Sequence, residues 1–303
     1  MSDLSKLLLT LLLSSFISST TEQVPLNDYD KWEKMYIRFY DLMLAALSST
    51  PQKCLDKIGI GHKFIQTFNA DCKDLIFNGD CQVVITRFET NDPNNIPNHG
   101  IIFRHSHDIK AFTDKFTTDV ANMPLVEWNS PKKIGMIGRD YLEGFNRLMA
   151  AGLKDFMYEL WGHYCDTVIE IFALEMRNLE LWDIDKIFVK TYGTPRIGDS
   201  MFAAKLSQSV YQTFRLLYLK DPVALYPPTT IDRTKPPNIN ETGAYAHYGY
   251  TIWYDVAIPV IGQYQNQKCE NPEDAKCDDN GDNPAQHYAY FGYKQKDYDS
   301  YTC

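Results

Sequence analysis

The chain alternates β-rich runs with helical stretches, and this alternation constrains its fold more than any other feature. The β-rich runs, which are bounded by turn-forming residues, are 81–89, 99–106, 186–193, 213–221 and 250–255. Helical spacing of apolar residues occurs between them, most clearly from about Arg139 to Leu160, and Asp199 precedes another predicted helix as a possible cap. Strands that alternate with helices predict a mainly parallel sheet. No linker or change of composition divides residues 25–303, so we predict one α/β domain.

The N-terminal segment has the plan of a secretory signal peptide. Lys6 precedes an apolar run from Leu7 to Ile17, and small residues follow at positions 18–20. The run is too short for a bilayer span, which takes about 20 residues, and no later run is long enough. The sequence therefore predicts a signal peptide at residues 1–20, no transmembrane segment, and a secreted domain at residues 21–303.

Seven cysteines agree with secretion, because disulfides form in oxidising compartments. The predicted pairs are Cys72–Cys81, Cys269–Cys277 and Cys54–Cys303. The first two would close short loops and the third would tie the two ends of the domain together. An odd total leaves one cysteine, Cys165, unpaired. Metal ligation is the alternative, but no C-x-x-C or histidine pair with ligand spacing accompanies the cysteines.

Charge and acidic patterning exclude two other kinds of ligand. The formal net charge is −9 and the basic residues are scattered, so we expect no nucleic-acid partner. Asp278, Asn280 and Asp282 alternate as at the start of a calcium loop, but the bidentate glutamate is absent. His105 and His107 lack an evident third ligand. We therefore predict a solvated acidic loop and no metal site.

Four motifs in the second half of the chain follow an order that is typical of one enzyme family. The clearest is "KTYGTPRIGDSMFAA", and "LKDPVALYPP", "YAHYGYTIWY" and "QHYAYFGY" come after it. Together they resemble the secreted fungal-type, or class 3, lipases, and the resemblance runs from about residue 35 to the end. It implies an α/β-hydrolase fold, with a mostly parallel central sheet flanked by helices. It also implies hydrolysis of lipid esters such as triacylglycerols at a lipid–water interface, through a serine acyl-enzyme and without a cofactor.

The resemblance assigns the acid and the base of a catalytic triad. Asp221 in "LKDPVALYPP" matches the aspartate of the family, and His287 in "QHYAYF" matches its histidine. In such a triad the carboxylate orients the histidine, which removes the proton of the nucleophile. The residues alone leave two alternatives open: a turn or cap role for Asp221, and a structural role for His287.

The oxyanion hole departs from the family pattern. Family members have Phe-Arg-Gly followed by Thr or Ser, whereas this chain has Phe-Arg at 103–104, then His105 and Ser106. Ser106 is the oxyanion candidate, because its hydroxyl and its backbone N–H could stabilise developing charge. His105 replaces a glycine whose missing Cβ permits close approach of the backbone.

The nucleophile position departs further. The stretch "WGHYCDTVIEIFALEM", residues 161–176, begins in register with the Gly-His-Ser-Leu-Gly-Gly elbow of the family, and Tyr164 falls at the serine position. The elbow tolerates only small residues two positions away, yet Asp166 stands on one side. A tyrosine hydroxyl, with a reference pKa near 10, is a poor replacement for serine. Cys165 is a better nucleophile in a less suitable position, and a buried free thiol is the alternative reading.

No β-rich run precedes this stretch, so the sequence predicts that the nucleophile strand of the family is missing, or that "DTVIEIFAL" is that strand. Either register lacks Gly-x-Ser-x-Gly. Three hypotheses follow: a lipase whose elbow segment is lost from the sequence, an inactive relative that binds a lipid or a partner in the cleft, or an enzyme that uses Cys165.

Overall fold

The computed structural model describes most of the chain after residue 38. The described residues are 39–59, 61–76, 79–88, 98–104, 119–120, 122–129, 133–160, 164–166, 170–229, 243–255, 267–269, 271–277, 283–288 and 290–292. The predicted signal peptide, Cys303 and the acidic loop at 278–282 lie outside them. In the segment 109–120 the residues Ile109, Phe112, Phe116 and Val120 have helical spacing and predict a helix, and this segment lies mostly outside the described residues as well.

A mixed sheet forms the centre of the described structure, with the strand order β1-β2-β3-β6-β7-β9-β11-β12. Its strands are β1 (His62–Cys72), β2 (Gly79–Phe88), β3 (Asn98–Arg104), β6 (Tyr164–Asp166), β7 (Ile187–Tyr192), β9 (Gln212–Tyr218), β11 (Tyr250–Tyr254) and β12 (Gln267–Lys268). The strands from β3 to β11 pair in parallel. At the two edges, β1, β2 and β12 pair antiparallel. The predicted parallel centre is confirmed, and the antiparallel edges make the sheet mixed.

Apolar side chains of the central strands point alternately to the two faces of the sheet, so each face carries its own core. On β2, Val83 and Ile85 belong to the larger core, whereas Val84 between them belongs to the second. On β3, Ile101 and Ile102 divide in the same way. Parallel strands buried on both faces are typical of α/β proteins, in which helices cover the two sides.

The helices bury apolar stripes against these faces. They are α1 (residues 39–46), α2 (Pro51–Ile58), α3 (Arg139–Leu148), α4 (Lys154–Glu159), α5 (Glu170–Asn178) and α6 (Ser200–Ser209). The helix α3 buries Tyr141, Leu142, Phe145 and Leu148, which share one helical face. Side chains of α3, α5 and α6 pack in the larger core, and those of α1 and α2 pack in the second. The sheet is therefore flanked by helices on both sides, as predicted.

A small second sheet lies beside α6. It has the order β10-β8-β5-β4, from β4 (Leu125–Glu127), β5 (Met136–Gly138), β8 (Gly198–Asp199) and β10 (Tyr245–Ala246). At the end of β8, Asp199 caps α6, because its Oδ1 accepts a hydrogen bond of 2.9 Å from the backbone N–H of Phe202. The predicted cap is confirmed.

Two predictions about the nucleophile region are wrong. A strand is present there: β6 lies between β3 and β7, where the sequence predicted no strand. The proposal that "DTVIEIFAL" is a strand also fails, because Glu170–Asn178 is helical. The strand β6 has three residues, and its hydrogen bonds come from neighbours on both sides, so its own sequence carries little periodic signal.

Two predicted disulfides are confirmed, Cys72–Cys81 and Cys269–Cys277. Cys54 is also disulfide-bonded. Its predicted partner, Cys303, lies outside the described residues, so that pairing stays a prediction. Within the described ranges, no helix has both the length and the apolar character that crossing a membrane requires.

Candidate active site

An aspartate and a histidine that are far apart in sequence meet at the end of β9. Asp221 follows this strand, and its Oδ2 lies 2.9 Å from Nδ1 of His287, which belongs to the short 3₁₀ helix Pro284–Tyr288. The Asp221 side chain is almost fully buried, with 2% of its area exposed, whereas that of His287 is 21% exposed. A buried carboxylate on Nδ1 leaves Nε2 of the ring available for a proton transfer. The structure therefore brings together the predicted acid and the predicted base.

The backbone holds the acid in one orientation. Oδ1 of Asp221 accepts a hydrogen bond of 2.9 Å from the N–H of Val223, which starts the 3₁₀ turn Val223–Leu225. The N–H of Lys220, the residue before Asp221, donates a hydrogen bond to the side-chain oxygen of Gln286, the neighbour of His287. The loop after β9 and the histidine turn are thus linked by two hydrogen bonds, one of which is the acid–base contact itself.

Tyr290 is a third member of the arrangement that the sequence did not single out. Its hydroxyl donates a hydrogen bond of 2.8 Å to Oδ2 of Asp221, the same oxygen that faces His287. Burial, followed by the negative charge of Asp221, raises the pKa of the Tyr290 hydroxyl well above its usual value, so this residue stays a donor. Its ring packs 6.0 Å from that of Tyr40 in α1. In the sequence, the signal for this role is a tyrosine three residues after His287.

Gly193, directly after β7, leaves the space in which the acid and the base meet. Its φ is 61°, a left-handed conformation that favours glycine. A Cβ at this position would lie 2.4 Å from Oδ2 of Asp221 and 3.0 Å from Nδ1 of His287. The first distance is shorter than non-bonded contacts allow. The glycine that opens the Gly-x-Pro-Arg-x-Gly motif is therefore a steric requirement of the site.

The strand β6 contains Tyr164 and Cys165, the two residues that the sequence offers as nucleophiles, and its backbone pairing is defined on both sides. Cys165 pairs with His99 and Ile187, and Asp166 pairs with Gly100 and Phe188. Tyr164 is the first residue of this strand. A nucleophile elbow is the turn between a strand and a helix. Here the corresponding connection is 167–169, between β6 and α5, and it lies outside the described residues.

Ser106 and His105 also lie outside the described residues, as does most of the predicted helix Ile109–Val120, which is a lid candidate. The oxyanion role of Ser106 stays a prediction, as does the role of Tyr164. In the described part of the chain, no group of three or more His, Cys, Asp or Glu side chains has an arrangement that could hold a metal ion.

Glu170, the first residue of α5, is a buried acid beside the predicted elbow. It is 1% exposed, and it accepts a hydrogen bond from the hydroxyl of Tyr248, which lies 3.2 Å from Oγ1 of Thr191 on β7. Burial raises the pKa of Glu170 to about 7, and the hydrogen bond from Tyr248 opposes part of that rise. The first residue of α5 therefore lies close to Thr191, near the end of β7. The acid and the base lie at this same end of the strand.

Comparisons with known proteins support a lipase-type fold. The family model described as Lipase (class 3) matches residues 168–231, which include α5, the Gly-x-Pro-Arg-x-Gly motif and Asp221. The structure is similar to that of the Rhizomucor miehei triacylglyceride lipase, with a TM-score of 0.62 and 16% identity over 86% of this chain and 96% of that one.

The chain has the fold of the fungal class 3 lipases. Lipase II from Rhizopus niveus gives a TM-score of 0.63 at 15% identity, over 86% of this chain and 94% of the lipase. Lip2 lipase from Yarrowia lipolytica gives 0.58 at 15% identity, over 90% and 96%. No curated protein matches by sequence. The predicted resemblance to the class 3 lipases is confirmed, and so is the α/β-hydrolase fold.

Proposed function

We propose that this protein is a secreted, lipase-type α/β-hydrolase that binds lipid esters at a lipid–water interface and hydrolyses them weakly or not at all. The observation that carries the proposal is the contact of 2.9 Å between Asp221 and His287 at the carboxyl end of a parallel strand. Such a pair supplies the acid and the base of a catalytic triad for acyl transfer. The α/β-hydrolase fold and the class 3 lipase match support ester chemistry at this place.

We expect weak hydrolysis because the segment around β6 and the start of α5 offers no serine nucleophile. Its sequence from Trp161 to Glu170 contains no serine, and the segment that joins the strand to the helix is Thr-Val-Ile at 167–169. A histidine that is oriented by an aspartate has no partner to deprotonate unless a hydroxyl or a thiol lies within reach. Loss of the nucleophile from a triad lowers kcat by about 10⁶-fold, and only binding and oxyanion stabilisation remain.

Secretion forms part of the proposal. Two disulfides in the described part of the chain fit an oxidising compartment. The sequence of residues 1–20 has the order of a signal peptide, with Lys6 before the apolar run. Expression in a secreting host, followed by N-terminal sequencing of the protein in the medium, should show cleavage near residue 20. Retention of the intact chain in the cell would contradict secretion.

Ester turnover is the first test. The purified protein is assayed with a short-chain and a long-chain p-nitrophenyl ester, beside the His287→Ala variant and a serine lipase of the same fold. We expect the protein to fall at least about 10³-fold below the serine lipase, and fluorophosphonate probes should not label it. Turnover close to that of the serine lipase, abolished by His287→Ala, would contradict impaired hydrolysis and support an active enzyme.

If turnover is found, three variants identify the nucleophile. Tyr164→Phe removes the hydroxyl at the position that the sequence register assigns, Cys165→Ala removes the thiol, and Thr167→Val removes the hydroxyl that follows β6. Alkylation of free thiols should inactivate the enzyme only if Cys165 attacks the ester. Loss of activity in one variant alone, with unfolding midpoints unchanged, assigns the role.

Lipid binding is the second test, and it distinguishes an inactive lipid-binding protein from one that binds only a protein partner. Flotation with triolein emulsion droplets measures adsorption at an interface without any need for catalysis. We expect the protein to float with the droplets. If it stays in the aqueous phase at all droplet concentrations, the lipid part of the proposal fails.

A further inference from the structure

The loop 269–277 turns an acidic side chain into the protein, next to the residues 221–227 that follow β9 and begin with the acid (the acid loop). The disulfide Cys269–Cys277 closes this loop, and both cysteines pack in a small apolar cluster with Ala224 of the acid loop. The side chain of Glu273, in the middle of the loop, is 0% exposed. The loop therefore holds a buried carboxylate beside the acid loop.

The carboxylate of Glu273 accepts three hydrogen bonds from two residues. Arg196, from the Gly-x-Pro-Arg-x-Gly motif, donates from Nε to Oε1 at 2.8 Å and from Nη2 to Oε2 at 2.6 Å. The backbone N–H of His247 donates to Oε1 at 2.6 Å. Two parallel N–H donors on one carboxylate fix the plane of a guanidinium group. Glu273 thus orients Arg196 and anchors His247 at the same time.

Arg196 and His247 in turn hold the acid loop through its carbonyl oxygens. With its Nη1 and its backbone N–H, Arg196 donates to three consecutive carbonyl oxygens, those of Leu225, Tyr226 and Pro227. Nε2 of His247 lies 2.7 Å from the carbonyl oxygen of Ala224. The carbonyl oxygens of residues 224–227 are therefore held by two residues that share Glu273 as an acceptor.

The hydrogen bonds continue from these carbonyl groups to the acid. The N–H of Tyr226 donates to the carbonyl oxygen of Val223 at 3.2 Å, and the N–H of Val223 donates to Oδ1 of Asp221 at 2.9 Å. Oδ2 of the same carboxylate faces Nδ1 of His287. A series of hydrogen bonds therefore connects the buried carboxylate of Glu273 with the contact between the acid and the base.

We propose that Glu273 is a positioning residue for Asp221, and that it acts through Arg196. This inference rests on the proposed function, in which Asp221 and His287 are the acid and the base of the site. Without the carboxylate of Glu273, the guanidinium of Arg196 keeps its charge but loses the acceptor that fixes its plane. Its hydrogen bonds to the acid loop then weaken, and the Asp221 carboxylate no longer keeps one orientation toward His287. A misplacement of about 1 Å at a reacting centre can lower a rate by about 10²-fold.

The test observes the acid–base contact itself, through the Nδ1–H proton of His287 in proton NMR spectra recorded at low temperature. A proton held between an imidazole and a buried carboxylate resonates at unusually low field, and His287→Ala identifies the signal by removing it. We expect the native protein to show this signal and Glu273→Gln to lose it. An unchanged signal in Glu273→Gln overturns the proposal and leaves the proposed function untouched. Absence of the signal from the native protein would mean that Asp221 and His287 are not in contact, which overturns both.

Two control variants separate positioning from a general loss of stability. Asp274→Asn removes the neighbouring carboxylate of the same loop, whose Oδ1 accepts a hydrogen bond from the N–H of Lys276. Leu148→Ala opens a cavity in the larger core, where Leu148 is 1% exposed. Both variants should keep the low-field signal below their unfolding midpoints. Equal loss of the signal in either control overturns the proposal, because the effect would not depend on Glu273.

Arg196→Lys decides the question if Glu273→Gln does not fold. Lysine keeps a positive charge beside Glu273, but one ammonium group cannot bind the carboxylate through two parallel donors and also hold the carbonyl oxygens of the acid loop. We expect this variant to lose the low-field signal of His287 as well. A signal like that of the native protein overturns the proposal. These readouts do not use ester turnover, so they apply whether or not the protein hydrolyses esters.

Discussion

We predict that the buried carboxyl group of Glu170 makes the stability of this protein depend on pH near neutrality. Glu170 is 1% exposed, and burial raises its pKa from 4.5 to about 7 in the folded state. In the unfolded chain water solvates the group, and the ordinary pKa returns. The folded state therefore holds the proton more tightly than the unfolded state does.

The sign and the size of the effect follow from that difference. Below pH 4.5 both states carry the proton, so Glu170 causes no charge penalty. Between pH 4.5 and about 7 only the unfolded state releases it, and the free energy of unfolding falls by about 1.4 kcal/mol per pH unit. Above pH 7 both states are ionised and the loss levels off. The total corresponds to about 3 kcal/mol.

Glu170→Gln should remove this dependence, because the amide keeps an acceptor for the Tyr248 hydroxyl but does not ionise. Urea unfolding at a series of pH values from 4 to 8, followed by tryptophan fluorescence, measures the free energy of unfolding of each protein. We expect the free energy of unfolding of the variant to rise relative to that of the native protein as the pH increases, by about 3 kcal/mol in total.

The matched control for this prediction is Glu159→Gln, which removes an exposed carboxylate at the end of α4. Its stability curve should run parallel to that of the native protein, because water solvates that charge in both states. If the difference between Glu170→Gln and the native protein is the same at pH 4.5 and at pH 8, the reasoning from burial is refuted.

Three further substitutions test other parts of the structure. Gly193→Ala should destabilise the protein and displace the acid–base pair in a crystal structure, whereas Gly59→Ala, with φ of 67° and nothing within 4 Å, should cause only backbone strain of about 1–2 kcal/mol. Glu273→Gln should lower the free energy of unfolding by about 3–5 kcal/mol, because it leaves the charge of Arg196 buried without its partner. The double variant with Arg196→Met should recover part of that loss. If the losses of the two single variants simply add up in the double variant, the ion pair is contradicted. Tyr290→Phe should cost about 1.5–3 kcal/mol in urea unfolding, because its hydroxyl donates to a carboxylate; a loss below 0.5 kcal/mol would contradict that hydrogen bond.

The sequence alone determined the features that are encoded locally or by motif. Long β-rich runs predicted β2, β3, β7, β9 and β11, because their apolar residues carry a signal over many positions. Spacing indicated two disulfides, and Asp199 before an apolar helix indicated a cap. The motif order named Asp221 and His287, and the structure places them in contact.

Only the tertiary structure decided the features that depend on neighbours distant in the chain. The strand β6 has three residues, and pairing with β3 and β7 gives it its conformation. The roles of Gly193 and Tyr290 follow from the atoms around Asp221, which come from three separate segments. The burial of Glu170 likewise depends on the packing of the helices against the sheet. Such contacts follow from the packing of the whole domain, so no local pattern in the sequence encodes them.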